Sequence, residues 1–192
     1  MSVASTTRER ILDATLESVE AASLGGFALE DVAATAGVSR ATIYRHFPNG
    51  RTQVLREAVT REVADFWRLL ADHVRHIESL EGRRVEGLME ARRQVVEHSL
   101  LQRLLASEPD RLTAELAESG ELVHSVIAFY LRDLIEREEL VEGLDTDAAS
   151  EYLTRMFMSY VGSPGRWDLS DRAEVTRLVR GQFLAGVLAP DV

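Results

Sequence analysis

The feature that most constrains this chain is its punctuation. Four prolines, at 48, 109, 164 and 190, each fall where a 3.6-residue apolar pattern stops or starts. Between them no run alternates β-branched with polar residues, so no strand is predicted. The chain reads as helix nearly throughout, an all-α fold. The first helix is predicted over residues 7–22, capped by Thr6 or Thr7, with Ile11, Leu12, Thr15, Leu16 and Val19 as its stripe. A short helix over 29–36 follows, turning inward Leu29, Val32 and Ala33. Gly37 breaks it, Val38 plugs the corner, and Ser39 caps a third helix over 40–46. After the turn Phe47-Pro48-Asn49-Gly50, a long helix is predicted over 51–77. The rest reads as helices over 81–105 (broken near 98–100), 111–118, 121–140, 146–161 and 170–188. Asp145 and Ser170 are the expected caps of the last two.

Charge narrows what such a chain can bind. It holds 22 basic residues, all arginine, against 32 acids, for a net charge of -10. An acidic body repels phosphate, so the total argues against nucleic acid. The distribution argues otherwise. Residues 1–60 hold six arginines and seven acids, and residues 61–192 hold sixteen and twenty-five. Within the first stretch, residues 39–56 carry Arg40, Arg45, Arg51 and Arg56 and no acid. Four charges alone fit a solvated helix face as well as a DNA contact, and the residues between them decide.

Two short helices joined by a glycine turn make a helix-turn-helix. Its second helix must enter a groove about 12 Å wide, so its outward residues must be polar or small. Ile43 and Phe47 lie four apart and face inward. Arg40, Ala41, Thr42, Tyr44, Arg45 and His46 are left for the outward arc, and Ser39 joins them at the helix start. Arginine can read guanine bidentately, and Thr or Ala can touch a thymine methyl. Tyr, His and Thr can donate to phosphate oxygens.

The run Leu29-Glu30-Asp31-Val32-Ala33-Ala34-Thr35-Ala36-Gly37-Val38-Ser39-Arg40-Ala41-Thr42-Ile43-Tyr44-Arg45-His46-Phe47 resembles the DNA-binding signature of the TetR family of transcriptional regulators. Arg10-Ile11-Leu12-Asp13-Ala14 is similar to that family's first helix. The resemblance covers residues 8–56 and departs at two places. Ala28 stands where the family often caps its second helix with Ser or Thr, and Gly50 where it often has Lys. Arg51 is therefore expected to take over the phosphate contact.

The resemblance implies a DNA-binding domain over residues 1–56 and a ligand-sensing and dimerisation domain over 57–192. It implies a homodimer that represses from an inverted-repeat DNA operator until a small-molecule effector releases it. The expected pocket residues are Trp67, Met89, Arg92, Arg93, Leu101, Leu105, His124, Phe129 and Tyr130. Large apolar faces on the last two helices suggest a two-fold four-helix bundle. One face holds Tyr152, Met156, Phe157, Tyr160 and Val161, the other Val175, Leu178, Val179, Phe183 and Leu184.

Other classes are disfavoured. The absence of cysteine removes disulfides, thiolate metal sites and a Cys nucleophile. Glu121-Leu122-Val123-His124 is half of a di-iron pattern that needs a second copy. Zinc-protease, nucleophile-elbow and phosphate-loop motifs are missing, so no enzyme, metal or cofactor is expected. A cytoplasmic protein is expected, with no signal-peptide pattern and no apolar run near the roughly 18 residues of a membrane span. The rival reading is a helical small-molecule-binding or interaction protein that does not bind DNA.

Overall fold

Thr6 and Glu9 start the first helix by satisfying each other's backbone. The Glu9 N–H donates to Thr6 Oγ1 at 3.2 Å and the Thr6 N–H to the Glu9 carboxylate at 2.6 Å, a reciprocal capping box. A computed structural model describes residues 5–78, 80–112, 120–135, 142–183 and 187. Helices α1 (Thr7–Ala22), α2 (Leu29–Ala36) and α3 (Arg40–His46) fall where the sequence puts them. The long helix α4 runs Gly50–Val74, three residues shorter at its end than expected. Then come α5 (Leu80–Glu97), α6 (Ser99–Ser107), α7 (Gly120–Ile135), α8 (Thr146–Gly162) and α9 (Arg172–Leu178), which passes into a π-helical turn, Val179–Phe183. The break expected near residue 98 is there, between α5 and α6. The described residues contain no strand. The chain is thus all-α, and none of its described helices is long and apolar enough to cross a membrane.

Packing divides the chain into two units. The first is Met1–Val63 with Leu100–Val123, and the second is Ala64–Ser99 with His124–Val192. Both are discontinuous in sequence. In the first unit, Ile11, Leu12, Val19, Phe27, Val32, Ile43, Phe47, Val54 and Leu55 form one core. Leu104 and Leu112 belong to that core as well, with Leu100 and Leu101 packed against it. This is why α6 goes with the N-terminal helices. Glu108, just beyond α6, accepts the Leu24 N–H at 3.1 Å and the Gly25 N–H at 3.3 Å, fastening the α1–α2 loop.

In the second unit, α5 packs against α8 and α9. Asp171, not Ser170, caps the last described helix, accepting from the Ala173 N–H at 2.7 Å. The expected interface residues Val175, Leu178 and Val179 are 0% exposed in the single chain. Phe157 and Val161 are also buried. This corrects the expected dimer face: these side chains already close the core of their own unit and have no surface to offer a partner. Tyr152 is exposed, and Met156 and Tyr160 are half-buried. The side chain of Phe183 and the whole of Leu184 lie outside the described residues, as do residues 113–118 and 136–140 of the helices expected over 111–118 and 121–140.

Leu178→Ala should lower the unfolding free energy by about 2–5 kcal/mol, the usual cost of a buried Leu cavity. Its self-association constant, measured by sedimentation, should stay unchanged. A weakened association with unaltered stability would return Leu178 to the interface.

Candidate nucleic-acid interface

The α2–α3 corner follows from local chemistry. Gly37 adopts φ +64, the left-handed conformation that glycine tolerates best. The Val38 N–H then reaches back to the Ala33 carbonyl at 2.9 Å, closing the end of α2. Ser39 caps α3, its Oγ accepting the Thr42 N–H at 3.1 Å and lying 3.0 Å from Thr42 Oγ1. Ile43 and Phe47 are both 0% exposed. Burying two residues four apart fixes the rotation of a helix about its own axis. Arg40, Ala41, Tyr44 and Arg45 are left exposed, with Thr42 and His46 half-buried at the flanks.

Ala28 gives α2 no side-chain cap, and its backbone is extended. Glu30 and Asp31 in the first turn complement the positive helix end instead. Glu30 also forms an ion pair with Arg40, whose guanidinium lies 5.7 Å from the Tyr44 ring centre and 3.4 Å from its hydroxyl. In the absence of DNA, the first arginine of the arc is thus held by its neighbours. Gly50 is explained by Tyr44: its φ is +61, and a Cβ there would come 3.0 Å from the Tyr44 ring. A side chain at this position would need both the left-handed backbone and a shift of the Tyr44 ring by a few tenths of an ångström.

Arg51 is a correction. Its Nε donates to the Phe27 carbonyl at 3.2 Å, and its Nη2 to the Leu24 carbonyl. Its guanidinium sits 4.1 Å from the Phe27 ring centre. These contacts fasten the α1–α2 loop by its carbonyls, as Glu108 does by its N–H groups, and leave the expected phosphate role without support. Sequence could not separate the two roles, because an Arg at a helix start suits either.

The expected pocket residues scatter. Trp67 and Tyr130 line one cavity of about 310 Å³ within the second unit, beside Leu70, Leu88 and Phe157. Trp67 lies 4.7 Å from Phe157 and stacks on Tyr130 at 6.2 Å between centres. Met89, Arg92 and Arg93 line a different depression, where both arginines are engaged. Arg92 donates to the Val161 carbonyl at 2.9 Å, and Arg93 makes 2.6 and 2.8 Å bonds to the buried Glu90. The Arg93 bonds hold the Glu90 carboxyl below the usual carboxylate range. Phe129 is 70% exposed, its edge against Tyr130. His124 is half-buried and helps to lower the Glu151 carboxyl, behind the larger effect of Arg155. Leu101 and Leu105 belong to the first unit and line neither cavity. The sequence reading missed Arg75, Arg83 and Arg84 on the first cavity. The Arg83-Arg84 pair beside a helix start was the available signal.

A helix-turn-helix with a polar outward arc on its second helix defines a DNA-binding protein. Residues 11–58 match the family described as bacterial regulatory proteins, tetR family. The HTH-type transcriptional regulator AlkX of Mycobacterium tuberculosis is 25% identical over 178 residues, 90% of this chain and 82% of that protein. The TetR family repressor AlkX of Dietzia sp. strain DQ12-45-1b superposes with a TM-score of 0.67 at 22% identity, covering 98% of this chain and all of that one. The transcriptional regulator FadR of Bacillus subtilis, solved with stearoyl-CoA, gives 0.53 at 18% identity, covering 90% and 97%. Residues 11–58 thus carry the DNA-binding domain of TetR-family regulators, and over its length the chain is similar to DNA-binding transcriptional regulators of that family.

Arg51→Met should cost about 1–3 kcal/mol of stability in denaturant melts, for lost bonds from a charged donor. The slope of log affinity for DNA against log salt should not change. A slope smaller by about one would return Arg51 to a phosphate.

Proposed function

We propose that the chain acts as a homodimeric repressor. Each subunit lays the outward arc of α3 (Arg40, Ala41, Thr42, Tyr44, Arg45 and His46, with Ser39 at its start) into a major groove. The observation that carries this reading is the complete burial of Ile43 and Phe47, which directs that arc away from the core. Two-fold symmetry then calls for an inverted repeat with half-sites about 34 Å apart or a multiple of it. Residues 1–56 act on DNA, and residues 57–192 sense and dimerise. The exposed side of α8, with Tyr152, Met156 and Tyr160, is the proposed contact between subunits in place of the buried side of α9.

The proposed effector site is the cavity beside Trp67, Tyr130 and Phe157. A transcriptional regulator of the same fold supports control by a small molecule, since FadR of Bacillus subtilis was solved in complex with stearoyl-CoA. An effector releases DNA only if it binds the DNA-incompetent conformer more tightly. The reading places the protein in the cytoplasm, with its operator.

The test is a titration of the full chain on DNA from upstream of its own gene, at several salt concentrations. Saturable binding to an inverted repeat that weakens steeply with salt is expected. Thr42→Ala with Tyr44→Ala should cost more than about 1 kcal/mol on that DNA. No binding, or binding indifferent to salt and to both substitutions, would contradict the reading.

A further inference from the structure

An acid stands against the first arginine of the outward arc. Glu30, in the first turn of α2, forms an ion pair with Arg40, the first residue of α3. The contact spans ten positions of sequence and crosses the Gly37 corner. Both helices are anchored by their other sides, α2 by Leu29, Val32, Ala33 and Ala36 and α3 by Ile43. The pair therefore joins two side chains on a fixed frame. Asp31 already supplies an acid to the start of α2, so the helix end alone does not call for Glu30.

The geometry leaves Arg40 held but not covered. Its Nη1 donates to Glu30 Oε1, and its Nη2 donates to the Tyr44 hydroxyl at 3.4 Å. The guanidinium carbon is 5.7 Å from the Tyr44 ring centre. A guanidinium has five N–H donors, so these two contacts leave donors for a further partner. The side chains of Arg40 and Glu30 are 55% and 59% exposed. An exposed pair adds little to stability, but beside DNA it has two larger effects. The carboxylate offsets the charge of Arg40 and repels phosphate, which lowers affinity for any DNA. It also restricts a long side chain before binding, which lowers the ordering cost of one particular contact.

We propose that Glu30 is a positioning residue for base reading: it holds Arg40 so that the guanidinium reads the edge of a guanine and not a phosphate. Guanine presents O6 and N7 side by side in the major groove, two acceptors that match the arginine fork. That directional contact depends less on net charge than a phosphate contact does. Holding Arg40 thus lowers general affinity and raises discrimination at one base pair of each half-site. The proposal rests on α3 as the helix that enters the groove and adds a residue of α2 to it.

The test incubates the full chain with a pool of randomised duplexes long enough for two half-sites and sequences the bound fraction. Wild type, Glu30→Gln, Arg40→Gln and the double variant are compared; both positions are exposed, so the substitutions spare the core. Wild type should select an inverted repeat in which Arg40→Gln weakens one guanine preference per half-site at least about tenfold. Glu30→Gln should weaken the same preference about two- to fivefold, the range of an exposed pair, and leave the other positions as they are. In the Arg40→Gln background it should change that preference no further. On an alternating A·T duplex, which offers no guanine, Glu30→Gln should bind about two- to fivefold more tightly than wild type. A guanine preference that survives Arg40→Gln, or one that Glu30→Gln leaves intact, would overturn the proposal while the selected repeat upholds the DNA reading. An equal loss at every position without tighter A·T binding would make Glu30 a structural residue and overturn it too. Selection of no repeat by the wild type would overturn the DNA reading and the proposal together.

Discussion

The burial of Ile43 and Phe47 is the constraint on which the DNA-facing geometry depends. A seven-residue helix has little stability of its own, so α3 exists because its two apolar residues complete a core built by α1, α2 and the start of α4. Their spacing sets its rotation, and its rotation decides which side chains meet solvent. Neighbouring residues then make sense in turn. Gly50 leaves room for the Tyr44 ring, and Glu30 holds Arg40. Arg51 and Glu108 fasten opposite groups of the α1–α2 loop, one binding its carbonyls and the other its N–H groups.

Charge is distributed to match. The acids of the long second stretch keep the body of the protein repulsive to phosphate, and residues 39–56 carry only arginines. Of those four, Arg51 is spent on the fold and Arg40 is held by Glu30. An arginine count therefore overstates the charge ready for DNA. The second unit repeats the lesson: its arginines largely serve ion pairs, as in Arg93 with Glu90 or Arg180 with Glu81.

Local chemistry made the first three helices legible to the residue. A capping box, a left-handed glycine and a serine cap are written in neighbouring residues, and α1, α2 and α3 begin and end accordingly. Destinations were harder to read. The apolar stripe Val175-Leu178-Val179 fits a core and an interface equally, since both bury the same side chains, and it turned out to be core. Leu101 has the spacing of a pocket residue, yet it packs against the N-terminal core. The charge at residue 51 was visible, but its carbonyl partners lie 24 and 27 positions away, beyond any local pattern. For the same reason the Trp67 cavity, assembled from α4, α5, α7 and α8, was only partly foreseen.

The central claim is that the arc of α3 lies in the major groove, and dimethyl sulfate footprinting of the operator tests it most directly. The reagent methylates guanine N7 in the major groove and adenine N3 in the minor groove, two positions that distinguish the grooves. The account predicts protection of guanine N7 in two half-sites about one helical turn or a multiple apart, lost with Thr42→Ala and Tyr44→Ala. Protection confined to adenine N3, or an N7 footprint unchanged by those substitutions, would contradict it.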